Sequence, residues 1–204
     1  MMHTIDEMFR DHKDRRILAP GAIDAAVMIP LVERDGKDHV LFELRSSRIE
    51  QGGEVCFPGG RIEAGESTAE TVLREAEEEL LTGREHIRLI APLFRMTGPA
   101  GSEISAWLGR ILDYRDSWSA DEVEKVFLIP LEDLLAMEPV ISGGRYEMHV
   151  NDDFPYELIQ NGEKYRWHKV RKQYYFYKTE PEIIWGMTAE LLYHFLEEVR
   201  QMKA

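Results

Sequence analysis

Seven glutamates stand between residues 63 and 79, at 63, 66, 70, 75, 77, 78 and 79, and Arg74 is the one cation among them. That short stretch carries −6 of a chain total of −13. Ala69, Val72, Leu73, Ala76 and Leu80 recur at helical spacing, which predicts an amphipathic helix over 67–81, stopped near Gly83. On such a helix Glu75, Glu78 and Glu79 are related by i, i+3 and i+4, so their carboxylates share one side. Like charges at that spacing cost about 0.2–0.5 kcal/mol per pair. They also crowd the C-terminal half of the helix, where the macrodipole disfavours anions. A divalent cation reverses the sign of the first effect, and hard oxygen ligands in number suit Mg²⁺ or Mn²⁺ rather than zinc. The plain alternative is a solvated helix face. Two neighbours weigh against it. Gly59-Gly60 precede the helix, where backbone must come close to something or take φ > 0, and Arg74 abuts the glutamates with a planar guanidinium able to hold one carboxylate bidentately.

Gly60, five residues, Glu66, seven residues, then Arg74-Glu75-Ala76-Glu77-Glu78-Glu79 resembles the Nudix box, the signature of hydrolases that cleave a nucleoside diphosphate linked to another moiety. The box spans 60–82. It ordinarily continues with any residue, a glycine and an aliphatic; Leu80, Leu81 and Thr82 stand there, so the terminal glycine is missing or displaced to Gly83. The resemblance implies an α/β fold, an α/β/α sandwich with a mixed β-sheet. It implies that Glu78 and Glu79 ligate the catalytic metal, with the Gly59 carbonyl as a further ligand. Glu75 then serves as a ligand or as the group that orients or deprotonates water. Arg74 positions a glutamate, and Glu66 is a structural or outer-sphere acid. Many members draw another acid from a loop after the box. Glu122 is the candidate here, ahead of Glu124 and Glu103, against an ordinary exposed acid. The physical logic agrees, since a carboxylate pocket binds a pyrophosphate only through bridging cations.

A second resemblance concerns the coenzyme A pyrophosphatase branch. Leu44-Arg45-Ser46-Ser47, Gly53-Glu54-Val55-Cys56-Phe57-Pro58-Gly59-Gly60 and the run IWGMTA at 184–189 are similar to its segments. The match departs at Phe42-Glu43, at Glu50, and in a spacing from Arg45 to Phe57 that is one residue short. It implies that coenzyme A or an acyl derivative is the substrate, with Arg45 and Gly60 in substrate binding. The alternatives are a nucleotide-sugar, dinucleotide or ADP-ribose pyrophosphatase, or a non-catalytic ligand-sensing module. A homodimer is compatible with the resemblance.

The supporting elements follow from pattern. Residues 25–33 (AAVMIPLVE) and 39–45 (HVLFELR) predict a hairpin with a loop longer than the tightest kind. Short strand 55–57 ends at Pro58-Gly59-Gly60. Strands are expected at 86–94, 104–112 and 123–129, a short helix at 131–137, irregular strands over 142–180, and helices at 4–16 and about 186–202. With no Pro/Gly/Ser-rich linker, the 204 residues read as one domain, and 44% apolar residues support a sizeable core. A net charge of −13 disfavours nucleic acid and anionic membrane as partners. One cysteine, Cys56, excludes an internal disulfide and fits a reducing, cytoplasmic setting; it is read as a packed small hydrophobe. No stretch approaches a membrane span or a secretory h-region. The histidines lack paired ligand spacing, and Gly143-Gly144 is too short for a phosphate loop. Residues 167–177 (WHKVRKQYYFY) read as a strand with aromatics in the core and one available to stack on a base.

Overall fold

A computed structural model describes residues 19–49, 51–98 and 101–203. The helix expected over 4–16 and Glu50 lie outside them. Strand β1 (Ala25–Arg34) and β2 (Lys37–Arg45) form an antiparallel hairpin. Their turn is tighter than expected, two residues between the paired Arg34 and Lys37, because Asp35 and Gly36 both take positive φ (53° and 73°), the geometry that matches strand twist. After β3 (Val55–Cys56) the chain re-enters the sheet at once as β4 (Gly59–Arg61), where the sequence predicts only a terminating turn. Helix α1 (Thr68–Leu80) follows, then β5 (Ile87–Thr97), β6 (Glu103–Ile111), β7 (Val123–Pro130), α2 (Leu131–Ala136), β8 (Val140–Tyr146), β9 (Val170–Lys178), β10 (Ile183–Trp185) and α3 (Gly186–Lys203).

Seven strands make one mixed sheet in the order β3-β2-β1-β6-β5, with β4 paired to β1 and β7 to β2. The β1–β6 pairing is parallel and the others are antiparallel. Both faces of β1 and β2 are covered, which is why they read as near-continuous apolar runs. On one face Ala26, Met28 and Leu41 meet Val72, Ala76 and Leu80 of α1. On the other, Ile29, Val40 and Phe42 meet Leu192, Phe195 and Leu196 of α3. The α/β/α arrangement is therefore set by two apolar stripes closing on one sheet. The region predicted as irregular strands holds a second, three-stranded sheet, β10-β9-β8, and the strand expected at 167–177 is β9, with Tyr175 and Tyr177 turned into the α3-side core. Among the described residues, no helix is long and apolar enough to cross a membrane.

Helix α1 starts where its capping signals lie. The Ser67 side chain accepts from the Glu70 N–H and the Glu70 side chain accepts from the Ser67 N–H, a complete capping box. Its exit differs from expectation. Gly83 has ordinary extended geometry (φ −69°), and the left-handed C-cap residue is Leu81 (φ 47°, ψ 43°), at the place where the box ordinarily carries glycine.

Candidate active site

Helix α1 lays its glutamates against the β4 turn. Glu79 is 4% exposed, and its Oε2 accepts from the Gly59 N–H at 2.9 Å. Burial, with Glu75 and Glu122 adding repulsion, pushes the Glu79 carboxyl up to about 8, while the Gly59 N–H and Arg45 oppose the shift. Glu75 is also raised, chiefly by burial, against the pull of Arg74. The two glycines are required by proximity. A Cβ on Gly59 (φ 153°) would meet the Ala26 carbonyl oxygen and, at 2.6 Å, the Val27 Cα. A Cβ on Gly60 would strike the Glu75 carboxylate.

Arg74 is the hub of the acidic network. Its Nε and one terminal nitrogen donate to both oxygens of Glu66 at 2.8 and 3.1 Å. The other terminal nitrogen donates to Glu75 at 2.8 Å and, more weakly, to Glu78 at 3.4 Å. The terminal nitrogen that holds Glu66 also donates to the Arg61 carbonyl, at the end of β4, at 3.2 Å. Glu66 is held down to about 2, first by Arg74 and then by the Glu63 N–H. Glu78 is the exposed member, turned toward Arg74.

Glu122 reaches the site through its loop. The Ser119 N–H donates to the Glu79 carbonyl at 2.7 Å, the Glu122 N–H to the Ser119 carbonyl at 3.2 Å, and the Ser46 N–H to the Glu122 carbonyl at 2.8 Å. The loop is thus pinned between the end of α1 and the end of β2, and the Glu122 charge is felt at Glu75, Glu79 and Glu43. Glu124 is exposed, and Glu103 lies near Arg95 on β6. Arg45 is half-buried, and its charge offsets those of Glu43 and Glu79.

Glu43 is a residue that sequence reasoning does not place in the site. It alternates with Leu41 on the α1 face of β2 and is 0% exposed. Its Oε2 accepts weakly from Cys56 Sγ at 3.8 Å, and its Oε1 finds no hydrogen-bond partner among the described residues. Burial, with Glu79 adding repulsion, pushes this carboxyl well above the usual range. The signal was present: one acid inside the apolar run Val40-Leu41-Phe42-Glu43-Leu44. Burial likewise pushes the Cys56 thiol well up, the opposite of what a nucleophile needs.

As oriented, no three acidic, imidazole or thiol side chains among the described residues converge closely enough to chelate an ion; Glu75 and Glu78 are both turned to Arg74. The donor set nonetheless fits a hard divalent cation. Its donors are all oxygens, and the like charges that add to burial in raising Glu75 and Glu79 are what a cation would relieve.

Residues 23–149 match the NUDIX domain family, and the chain belongs to that family. It is 32% identical over 173 residues to the Nudix hydrolase NudL of Citrobacter koseri, covering 82% of this chain and 78% of that one. It is 40% identical over 116 residues to Nudix hydrolase 3 of Caenorhabditis elegans, covering 54% of this chain and 48% of that protein. It is 29% identical over 175 residues to the peroxisomal coenzyme A diphosphatase NUDT7 of Mus musculus, covering 81% and 66%. The chain thus spans about half the length of the worm relative and about two thirds of the mouse one. Among solved structures, the Nudix hydrolase RenU of M. smegmatis is similar with a TM-score of 0.48 at 16% identity, over 54% of this chain and 72% of that one.

Proposed function

We propose that this protein is a divalent-metal-dependent pyrophosphatase of nucleoside diphosphate derivatives, with coenzyme A or an acyl-coenzyme A as its substrate. The observation that carries the reading is the acidic cluster packed on the Gly59-Gly60 turn: buried Glu79 on the Gly59 N–H, half-buried Glu75 against Gly60, and the charge of Glu122 felt at both. Glu75, Glu78 and Glu79, with the Gly59 carbonyl, would hold Mg²⁺ or Mn²⁺. Such an ion supplies charge neutralisation for the pyrophosphate and acidifies an attacking water. The chain's own groups do the rest. Arg74 fixes the direction of Glu75 while Glu66 anchors Arg74. Glu122, on its pinned loop, would accept a proton from water. The water oxygen bonds to one phosphorus, one P–O bond of the anhydride breaks, and two phosphomonoesters leave: phosphopantetheine and an adenosine bisphosphate in the coenzyme A case.

The coenzyme A choice is supported by the segments around Arg45, Phe57-Pro58-Gly59-Gly60 and 184–189, and by the name of the mouse relative. Arg45 adds positive potential beside the carboxylates, and with Gly60 it belongs to the substrate-binding set. The cytoplasmic setting rests on cysteine usage; the mouse relative is named as peroxisomal. The test is a panel of coenzyme A, dephospho-coenzyme A, ADP-ribose, nucleotide sugars and dinucleotides with Mg²⁺ or Mn²⁺, products identified by mass. Cleavage of coenzyme A faster than of its dephospho form is expected. No cleavage of any compound in the wild type would return the chain to the ligand-sensing alternative.

A further inference from the structure

The connection between β8 and β9 is long, and its charges fall in an ordered pattern. It spans residues 147–169, where a hairpin ordinarily needs about two to five. Nearly all of it lies beyond the residues that match the family, 23–149. Two 3₁₀ turns, Tyr156–Leu158 and Gly162–Lys164, shape it. Rings close it on itself: Phe154 meets Tyr156 and Trp167 at centroid distances of 5.0 and 5.8 Å, and Trp167 meets Tyr165 at 4.9 Å. Residues 147–163 carry Glu147, Asp152, Asp153, Glu157 and Glu163 and no Lys or Arg, a charge of −5. Residues 164–172, which run on into β9, carry Lys164, Arg166, Lys169, Arg171 and Lys172 and no acid, a charge of +5.

The contact of Phe154 with Trp167 sets the acidic half beside the basic half, within reach of mutual neutralisation. Little of it occurs. Lys169 pairs with Glu147 at 2.8 Å, and Lys172 turns to Glu190 of α3. Among the described residues, Asp152, Asp153, Glu157 and Glu163 on one side, and Lys164, Arg166 and Arg171 on the other, are exposed and make no ion pair. Leu158 of the acidic half and Tyr165 of the basic half are large apolar groups left exposed as well. Charge decides what such a surface can meet. A nucleic acid or an anionic membrane drawn to the cations would face the adjacent carboxylates, on a chain of net charge −13. A basic partner would face the cations. A second copy of this chain carries the same two strips. A two-fold axis along the seam between them lays each acidic half on the partner's basic half, the self-complementary arrangement of an isologous dimer. It also offsets the repulsion between two acidic chains, because unlike charges meet at closest approach. The length of the connection suits a standard interface, which takes about 20–30 residues a side.

We propose that residues 147–172 form a self-complementary surface through which two copies of this chain pair as a dimer. The inference is independent of the reaction proposed above. Sedimentation equilibrium of the full chain reads it. Wild type should be dimeric, with a dissociation constant that rises at least about 10-fold between about 50 and 500 mM NaCl as the charges are screened. Lys164→Glu with Arg166→Glu, and separately Asp152→Lys with Asp153→Lys, should each weaken the dimer at least about 100-fold, since like charges then face each other. Mixed in equal amounts, these two double variants should pair again at wild-type affinity or tighter, because a more acidic surface then meets a more basic one. Misfolding cannot produce that recovery, and circular dichroism checks each variant. Should either double variant fail to fold, Lys164→Glu with Arg171→Glu or Glu157→Lys with Glu163→Lys takes its place. A wild type that is monomeric at its highest soluble concentration in low salt overturns the inference. So does a dimer that both double variants keep, which puts the contact on another face, and so does a mixture that fails to pair. If the wild type stays monomeric and instead binds vesicles of anionic phospholipid or single-stranded RNA through Lys164 and Arg166, the basic half serves a polyanion and the inference is wrong.

Discussion

Glu79 carries the strongest chemical signal of any single residue. Its carboxyl is raised to about 8 in the fold, against an ordinary value of 4.5 in the unfolded chain. Between those values the folded state holds a proton that the unfolded state has released. The contribution to stability is therefore full below about 4.5 and lost as pH rises through about 8. Glu75 and Glu43 shift the same way. The metal-free protein should lose melting temperature as pH is raised from 5 to 9, and Glu79→Gln should shrink that slope. Mg²⁺ should bind more tightly across the same interval, because it needs the ionised form. A slope that is identical in the variant would remove Glu79 from this role. Arg74 acts on a different quantity. It grips Glu66 bidentately and steers Glu75 with the remaining nitrogen. Lysine keeps the charge and loses the fork. Arg74→Lys should lower kcat by about 10- to 100-fold, the usual effect of removing a group that orients ligands, with KM little changed; a rise in KM at constant kcat would contradict the assignment. The spacing of the glutamates is fully legible in the sequence. The raised state of Glu79 is not, because it comes from burial against the Gly59 turn and from the charge of Glu122, far along the chain.

At the level of elements, local chemistry decides what the sequence discloses. The start of α1 is legible because the Ser67–Glu70 capping box is a local code. The exit is not, because glycine at position 83 looks like a stop and leucine at 81 does not. The chain nevertheless turns left-handed at Leu81, which is 61% exposed and so recovers little by packing. A side chain in that conformation costs roughly 1–2 kcal/mol, partly offset by the extra unfolded-state entropy of glycine, about 0.5–1 kcal/mol. Leu81→Gly should therefore stabilise the protein by about 0.5–1 kcal/mol, a rise of roughly 1–4 °C for a chain of this size. Thermal unfolding of the two proteins without metal settles it, and a fall in melting temperature would mean that Leu81 packs more usefully than its exposure indicates. In the second sheet β9 is legible from its aromatics, while β8 is poorly marked for a different reason. Strand β8 is exposed along most of its length and contains Gly143-Gly144, so it has neither alternation nor β-branched density to announce it. Its order comes from pairing with β9, whose Tyr175 and Tyr177 reach the core.

Across the whole molecule, the site is assembled from segments far apart in sequence, and a few buried bonds hold them in register. The Ser119 N–H ties the Glu122 loop to α1, and the Ser46 N–H ties it to β2. The longest of these ties is the hydroxyl of Thr188 on the Val55 carbonyl, spanning 133 positions. It docks the first turn of α3 onto β3, immediately before the Phe57-Pro58-Gly59-Gly60 turn that positions Glu79. Thr188 is buried, so removing its hydroxyl leaves the Val55 carbonyl without that donor in a dry setting. Such a loss costs about 1–3 kcal/mol. Thr188→Val keeps the shape and should be destabilised by that amount in urea, while Thr188→Ser should recover most of it. Loosening the turn should also lower turnover at saturating Mg²⁺, although Thr188 is placed on the opposite face of the sheet from the α1 carboxylates. If Thr188→Val is destabilised yet turns over at the wild-type rate, α3 braces the fold without setting the catalytic turn. If it matches wild type in both measurements, the bond carries no weight, and the alignment of the turn must come from the β1–β4 pairing and the bonds of Pro58 and Gly59 to Met28 and Glu79.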